Sequence, residues 1–564
     1  MTWLSRLLSL CFIVMLVSLM PDIAGIDPAQ AILRARSGVQ QLMTNEALQA
    51  VRDDLELGQN AMERLWDRLI HICHGDLGTS WVDGSSVMQS ILNAAKISLL
   101  LMGCSLVITF ILTFISVLYT FNQWQQNRIS NNHNSLSSIL VSLPEYVIAS
   151  LLILIFSIWL GWFPPYGWQT IQNLWLPSLA LALPAGGLFS RLLNDSLKRV
   201  LNEPWIITWL SANISKIKIM RFALLRAISS LVPQIAMIVI GLTGGAVAVE
   251  KVFAIPGIGS LILAATKSQD LPLLQGGLLA LLIFSILISC IGIMLQRWLL
   301  SHSTTSGKLI SNHPKFSFTK SRIKIIISLM IFMSLAICAI SGSLRDSYST
   351  QFTRLASPSL AAPFGADAIG RDLLARIGSG MLSTLKVGFI ATFLSFIIGL
   401  ILGFVTKFSQ GLIEITKGIP YIVAGLLIAG LTSMSPNSAL IAIVVVSWAP
   451  LATHCASLVL EAKAQPYTYL APTWGTNRLK ILYYYLLPYI LPPLIRHALL
   501  RLPVITLSLS SLNFIGIGTK PPSPEWGLLI SENLPYIERS PQGVLLPILG
   551  LVLVTIAINL LFDD

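Results

Sequence analysis

Charge is what this sequence has least of: Asp, Glu, Lys and Arg make up 11% of its 564 residues, against 54% hydrophobic residues. So little polar surface cannot clothe soluble domains of this size, which places most of the chain in lipid. Cysteine is also scarce. Of six cysteines, Cys11, Cys104, Cys290, Cys338 and Cys455 fall in apolar runs, and Cys73 alone falls in a stretch expected outside, so a disulfide framework is excluded. No Gly-x-x-x-x-Gly-Lys-Ser/Thr phosphate loop occurs; Ser306-Gly307-Lys308-Leu309 lacks both the first glycine and the hydroxyl. The chain is therefore not its own ATPase by that route. Nor does any convergent acid, base and nucleophile appear, which argues against an enzyme.

What is present is apolar and long. Val387 to Val405, Leu278 to Leu295 and Ser438 to Leu460 are runs of spanning length, and their lack of alternation excludes a lipid-facing barrel. About twelve such segments can be drawn at that window, starting near Leu4, Ala94, Ser137, Leu174, Ala227, Gly276, Ile323, Leu382, Gly418, Ser438, Pro488 and Val544. The fold class expected is all-α and polytopic. The formal net charge of +12 reads as the positive-inside bias rather than as a nucleic-acid footprint. Arg191, Lys198, Arg199, Lys216, Lys218, Arg221 and Arg226 fall in one inner loop. Lys308, Lys315, Lys320, Arg322 and Lys324 fall in a central connector, and the acidic stretch after the first segment falls outside. The N- and C-termini are both expected in the cytoplasm, with the first helix retained.

An internal repeat organises the chain. Asn202 to Met220 lies on Ala464 to Leu482 without a gap when Pro204 is set on Pro466, 262 residues later. Trp205 then meets Tyr467, Asn213 meets Gly475, and Ser215 meets Asn477. A proline is tolerated in a helix's first turn, so Pro204 and Pro466 open short helices. Asn and Gly accept left-handed backbone, so Asn213 and Gly475 stop them, and Ser215 and Asn477 are N-caps for a following basic helix. Recurrence in both halves favours a docking element over a membrane-surface connector.

The loop resembles the coupling motif of ABC importer permeases, with Tyr469-Leu470-Ala471, Gly475 and Leu487-Pro488 in the characteristic places. Both copies lack its usual Glu. Further segments resemble the dipeptide, oligopeptide and nickel permeases: Gly75 to Ser80, Val249 to Gly259 with Gln275-Gly276, Phe364 to Asp372, and Ser511 to Gly527. The resemblance implies a type I importer permease fold in which two six-helix halves are fused. Residues 1–300 resemble the B-type permease, with an external segment at about 21–93. Residues 301–322 form a cytoplasmic linker, and 323–564 resemble the C-type permease. It also implies two ABC ATPase subunits gripping the loops at Trp205 and Tyr467, and a periplasmic binding protein at the outer mouth. No cofactor is expected on this chain, with ATP and Mg held by the partner ATPases, and the location implied is the bacterial inner membrane. Pro256, Gly257 and Gly259 in the first half, and Gly516, Gly518, Pro521 and Pro522 in the second, are expected to turn the chain tightly as a periplasmic gate. A substrate path would lie between the halves.

Other readings weigh less. A secondary carrier built from two repeats needs ionisable groups within its spans, whereas Lys96, Lys386 and Glu461 sit near span ends and Glu145 sits in a first turn. His71-Ile72-Cys73-His74 has soft-metal ligands, but a helical spacing does not bring them together, so no metal site is expected. His454-Cys455 reads as a packed pair. Which solute is carried does not follow from the residues.

Overall fold

A computed structural model of the chain describes residues 74–126, 143–301, 322–405, 419–431 and 437–562, with a few isolated positions besides. These residues are helical apart from turns, the irregular stretches 160–170 and 344–372, and three isolated β-bridges. The helices that matter below are α1 Val87–Gln125, α2 Glu145–Leu152, α3 Trp175–Leu201, α4 Pro204–Ser211, α5 Lys216–Phe253, α6 Ile258–Ser268, α7 Leu271–Ser301, α8 Arg322–Ser343, α9 Leu373–Phe404, α10 Tyr421–Leu431, α11 Ser438–Ala464, α12 Pro466–Leu470, α13 Leu487–Ile515, α14 Trp526–Asn533 and α15 Gln542–Phe562. Nine helices among the described residues are long and apolar enough to cross a bilayer. They account for the expected segments near Ala94, Leu174, Ala227, Gly276, Ile323, Leu382, Ser438, Pro488 and Val544. The segments near Ser137 and Gly418 appear as the shorter apolar helices Glu145–Trp159 and Tyr421–Gly430. The segment at Leu4, most of the external stretch and the linker lie outside the described residues.

One span starts earlier than expected. The sequence separates a basic helix after Ser215 from an apolar span opening near Ala227, yet α5 runs unbroken from Lys216 to Phe253. No glycine or proline interrupts it before Pro233, and Lys216, Lys218, Arg221 and Arg226 extend long aliphatic stems from its first turns while their charged heads stay wet. In the second half Arg478–Ile481 passes through a π-helical turn at Leu482–Leu486 into α13.

Two compact units divide the chain: Ile91–Leu261 with Ala280–Thr319, and Met1–Ser90 with Ile262–Leu279 and Lys320–Asp564. In the first, Val117 and Trp124 of α1, Phe189, Leu193 and Leu197 of α3, Ile206 of α4, and Ile219 and Ala223 of α5 form one buried cluster. Asn194 of α3 joins it to α1 by donating to Ser116 Oγ at 2.7 Å and accepting from Thr120 Oγ1 at 3.1 Å. In the second, small residues let the helices approach, as expected where lipid removes the hydrophobic drive for helix association. A Cβ on Gly378 of α9 would stand 2.7 Å from Gly342 Cα of α8. One on Gly403 of α9 would stand 2.5 Å from Cys455 Cβ of α11.

Candidate functional site: two helix-turn-helix loops and two capped short helices

The loops at Pro204 and Pro466 share their opening and closing geometry, although the first is a single α-helix to Ser211 and the second passes from α12 into a 3-10 turn at Ala471–Trp474. Pro204 and Pro466 each occupy the first turn of their short helix. Asn213 and Gly475 both have left-handed backbone, with φ of 55° and 74°. Around each, the paired C-terminal bonds of a Schellman turn form. The amide of Ile214 donates to Trp209 O at 3.0 Å and that of Thr476 to Ala471 O at 3.3 Å. Of the expected N-caps, Asn477 accepts from Lys480 N at 2.8 Å, whereas Ser215 holds the N-cap position of α5 without a side-chain bond.

The two copies present different side chains. Trp205 is half-buried: its indole N–H donates to Glu203 at 2.7 Å and its ring meets Trp209 edge-on at 5.0 Å. Trp209 in turn packs on Phe222 of α5, and Glu203 pairs with Arg226 at 3.1 Å. The apolar groups that α4 exposes are Ile207 and Leu210, residues the sequence reading did not single out. In the second copy Tyr467 stacks on Tyr485, and Tyr469, Leu470 and Trp474 are exposed.

The repeat continues into the turns after α5 and α13. Ala254 and Gly516, again 262 residues apart, both cap their helices in left-handed backbone, with φ of 53° and 96°. The stretch from Val249 to Gly259 was expected to turn tightly at Pro256-Gly257. Val249 to Phe253 stay helical, the turn runs from Ala254 through Gly257, with the Gly257 amide donating to Ile255 O at 2.9 Å, and α6 opens at Ile258. Gly257, Gly259 and Gly518 have no positive φ; they are needed for close approach. A Cβ on Gly257 would fall 2.1 Å from Glu250 Oε1, one on Gly259 2.6 Å from Val247 Cα, and one on Gly518 2.0 Å from Asn513 Oδ1. Pro521 and Pro522, joined by a cis bond, lengthen the second turn.

Each turn delivers a short helix whose N-terminus is closed by a buried carboxylate. Four amides at a helix start have no intrahelical partner. In α6, Ile258 N donates to Ser98 Oγ at 2.8 Å, Ser260 N donates to Glu250 Oε2 at 3.0 Å, and Gly259 N also reaches Glu250. Ser98 of α1 donates its own proton to Glu250 Oε1 at 2.6 Å. In α14, Trp526 N donates to Thr384 Oγ1 at 3.2 Å, Leu528 N donates to Glu525 Oε2 at 3.0 Å, and Gly527 N also reaches Glu525. Thr384 of α9 donates to Glu525 Oε1 at 3.1 Å. Both carboxylates are almost fully enclosed, at 0% and 2% exposure, and such charge-assisted bonds are the strong ones. Burial pushes the Glu525 carboxyl above its ordinary range, against the pull of its donors.

The family-like segment Phe364 to Asp372 forms a second charged device. Asp367 Oδ2 accepts from Arg371 Nε at 2.6 Å and Arg376 Nη1 at 2.9 Å, and Glu532 of α14 accepts from both arginines, at 3.3 and 2.9 Å. Asp372 caps α9 through Leu374 N and pairs with Arg345 at 2.8 Å. Burial raises the Glu532 carboxyl, and Arg371 opposes the rise.

Cys73 lies outside the described residues. His71 Nδ1 is 3.5 Å from Asp76, and His74 Nδ1 is 2.8 Å from Ile70 O. The His454 ring lies against that of His497 of α13, tilted by 38°, and Cys455 Sγ faces Leu400 O of α9. Glu145 opens α2, with its carboxyl against Gly245 of α5.

The model of the binding-protein-dependent transport system inner membrane component matches twice, at residues 124–302 and 391–563. The chain is 31% identical over 250 residues to the dipeptide transport system permease protein DppC of Alkalihalophilus pseudofirmus, covering 82% of that protein and 42% of this chain. A putative peptide transport system permease protein of Brucella abortus is 30% identical, over 84% of its length and 47% of this chain. The glutathione transport system permease protein GsiC of Salmonella choleraesuis is 28% identical, over 90% of its length and 50% of this chain. Each relative is thus nearly spanned by half of this chain or less. The chain belongs to the binding-protein-dependent transport inner membrane component family, carries that domain twice in one polypeptide, and is an ABC transporter permease rather than an enzyme.

Proposed function

We propose that this permease moves a peptide or a similar small solute across the inner membrane on ATP hydrolysed by two partner subunits, which dock on α4 and on α12 from the cytoplasm. The observation that carries the reading is the repeated proline-opened, Schellman-closed helix, 262 residues apart, with exposed apolar groups at Ile207 and Leu210 in one copy and Tyr469 and Trp474 in the other. Two equivalent sockets on a dimeric motor would accept two such helices. Drawing them together on ATP binding would rock the packed helices between two arrangements. A periplasmic binding protein would deliver the solute to the opposite face, where α6 and α14 would act as gates. Peptide cargo is favoured over nickel because the relatives are named for peptide, dipeptide and glutathione transport.

The test is cysteine crosslinking in the co-purified transporter. Ile207→Cys and Trp474→Cys should each crosslink to an ATPase subunit and be shielded from an impermeant thiol reagent added outside whole cells. Labelling of either from outside, or crosslinking to no ATPase, refutes the docking reading.

A further inference from the structure

Within the span Leu479–Ile515, α13 carries three groups that are costly in lipid: Arg496, His497 and Arg501. Arg496 is satisfied, since its Nε and Nη2 donate to Phe562 O at the end of α15, at 2.9 and 2.7 Å. Arg501 is not. Its Nε is buried with no hydrogen-bond partner, and no carboxylate among the described residues pairs with it. On its side of α13 the neighbours are mixed: Leu494, seven residues before it, and Ile505, four residues after it, are 0% and 1% exposed, whereas Val504, three residues after it, is 53% exposed. Snorkelling offers no escape, because Arg501 is fourteen residues before the end of the helix, about 21 Å along the axis and beyond the reach of one side chain. The residue is only half-buried, so its outer N–H groups stay accessible.

Beside it stands a second polar feature. His497 is one turn back on the same face, and its ring lies 4.6 Å from that of His454 on α11; both are half-buried. An unpaired guanidinium within a span is expensive enough to mark a functional position. Its planar fork of donors fits a carboxylate, bidentately.

We propose that Arg501, flanked by the His454–His497 pair, recognises a carboxylate of the transported solute as it crosses the membrane. The inference rests on the transport reading above and assigns the chemical class of the cargo: an anion such as the C-terminus of a peptide. The cost of holding the guanidinium unpaired is offset only when the anion is present.

The test uses the full chain co-purified with its ATPase and binding-protein partners, in proteoliposomes, with dialanine and dialaninamide as probes. The wild type should take up dialanine at least about tenfold faster than the amide, as loss of one charged hydrogen-bonding partner implies. Arg501→Met should lose that preference while melting at or above the wild-type temperature, because an unpaired buried charge has been removed. Arg501→Lys should keep the preference in weakened form. Unchanged dialanine uptake by Arg501→Met overturns the inference, as does equal uptake of the two probes by the wild type. A lowered melting temperature in Arg501→Met overturns it by making the arginine structural. Wild-type vesicles that take up neither probe overturn the peptide-transport reading itself, and the inference with it.

Discussion

The helices α6 and α14 begin with the same hydrogen-bond pattern, but the carboxylate that makes it comes from different places. Glu525 immediately precedes Trp526 and caps α14 as its own N-cap residue. Glu250 lies eight residues before Ile258, in the last turn of α5, and its carboxylate fills the volume in which an N-cap side chain at Gly257 would stand. What the two halves share is therefore an arrangement rather than a residue position: a carboxylate bridging the second and third amides of a short helix to a hydroxyl on the long helix α1 or α9. The clamp at Glu250 ties α1, α5 and α6 together. The clamp at Glu525 ties α9 to α14 and takes a further bond from Ser510 of α13 at 3.2 Å.

The harshest way to break the comparison is to give the first half the cap of the second. Gly257→Asp alone puts a side chain onto the Glu250 carboxylate and a second charge beside it, and should cost about 3–5 kcal/mol, read as a fall in melting temperature of the purified protein. Adding Glu250→Ala should recover most of that loss, because the new aspartate can then cap α6 itself. A double variant no more stable than Gly257→Asp would mean that the two caps are not interchangeable. Next in size are Glu250→Ala and Glu525→Ala. Each strands a buried hydroxyl and buried amides, at roughly 2–4 kcal/mol, and should slow ATP-dependent uptake in proportion to the loss of the clamp. A stable Glu525→Ala protein with normal uptake would confine the device to the first half.

How much of this was legible in the sequence depends on the distance over which each signal acts. The spans were legible because twenty apolar residues in a row have one stable solution in lipid. Pro204, Asn213, Pro466 and Gly475 were legible because helix openings and left-handed stops are set by the residue itself. The clamps were not, since Ser98 meets Glu250 across 152 residues and Thr384 meets Glu525 across 141, and glutamate is not among the favoured N-caps. The same distance hid the Arg376–Glu532 pair, 156 residues apart. Gly257 and Gly259 were assigned to a tight turn because proline next to glycine marks one; that they also make room for a carboxylate and a backbone is visible only in tertiary structure.

At the loops the expected effects are smaller, because a Cβ on Gly475 would meet nothing within 4 Å. Gly475→Val should cost only the left-handed penalty, about 1–2 kcal/mol, yet abolish ATP-dependent uptake in proteoliposomes if the turn aims α12 at its partner. Stability barely moved together with uptake lost is the signature of a coupling defect. Normal uptake would remove the turn from the mechanism.

The smallest effect is the cleanest, because it sets two positions 262 residues apart against each other. Ala254 and Gly516 both end a long helix in left-handed backbone. Ala254 is exposed, so its methyl group contributes no packing, while its φ of 53° sets Cβ against the following carbonyl at about 1 kcal/mol. Replacing it with glycine removes that strain and adds unfolded-state entropy of opposite sign, about 0.4–1 kcal/mol. The balance should leave Ala254→Gly neutral to slightly stabilising. Gly516→Ala runs the other way: nothing within 4 Å obstructs its Cβ, but its φ of 96° lies beyond the left-handed well at about 50–70°, so its loss should exceed the gain at Ala254. Melting temperatures that shift in opposite directions would establish that one backbone requirement governs both turns despite their different residues. Shifts in the same direction would mean that the helix ends are held by their clamps and not by their own φ.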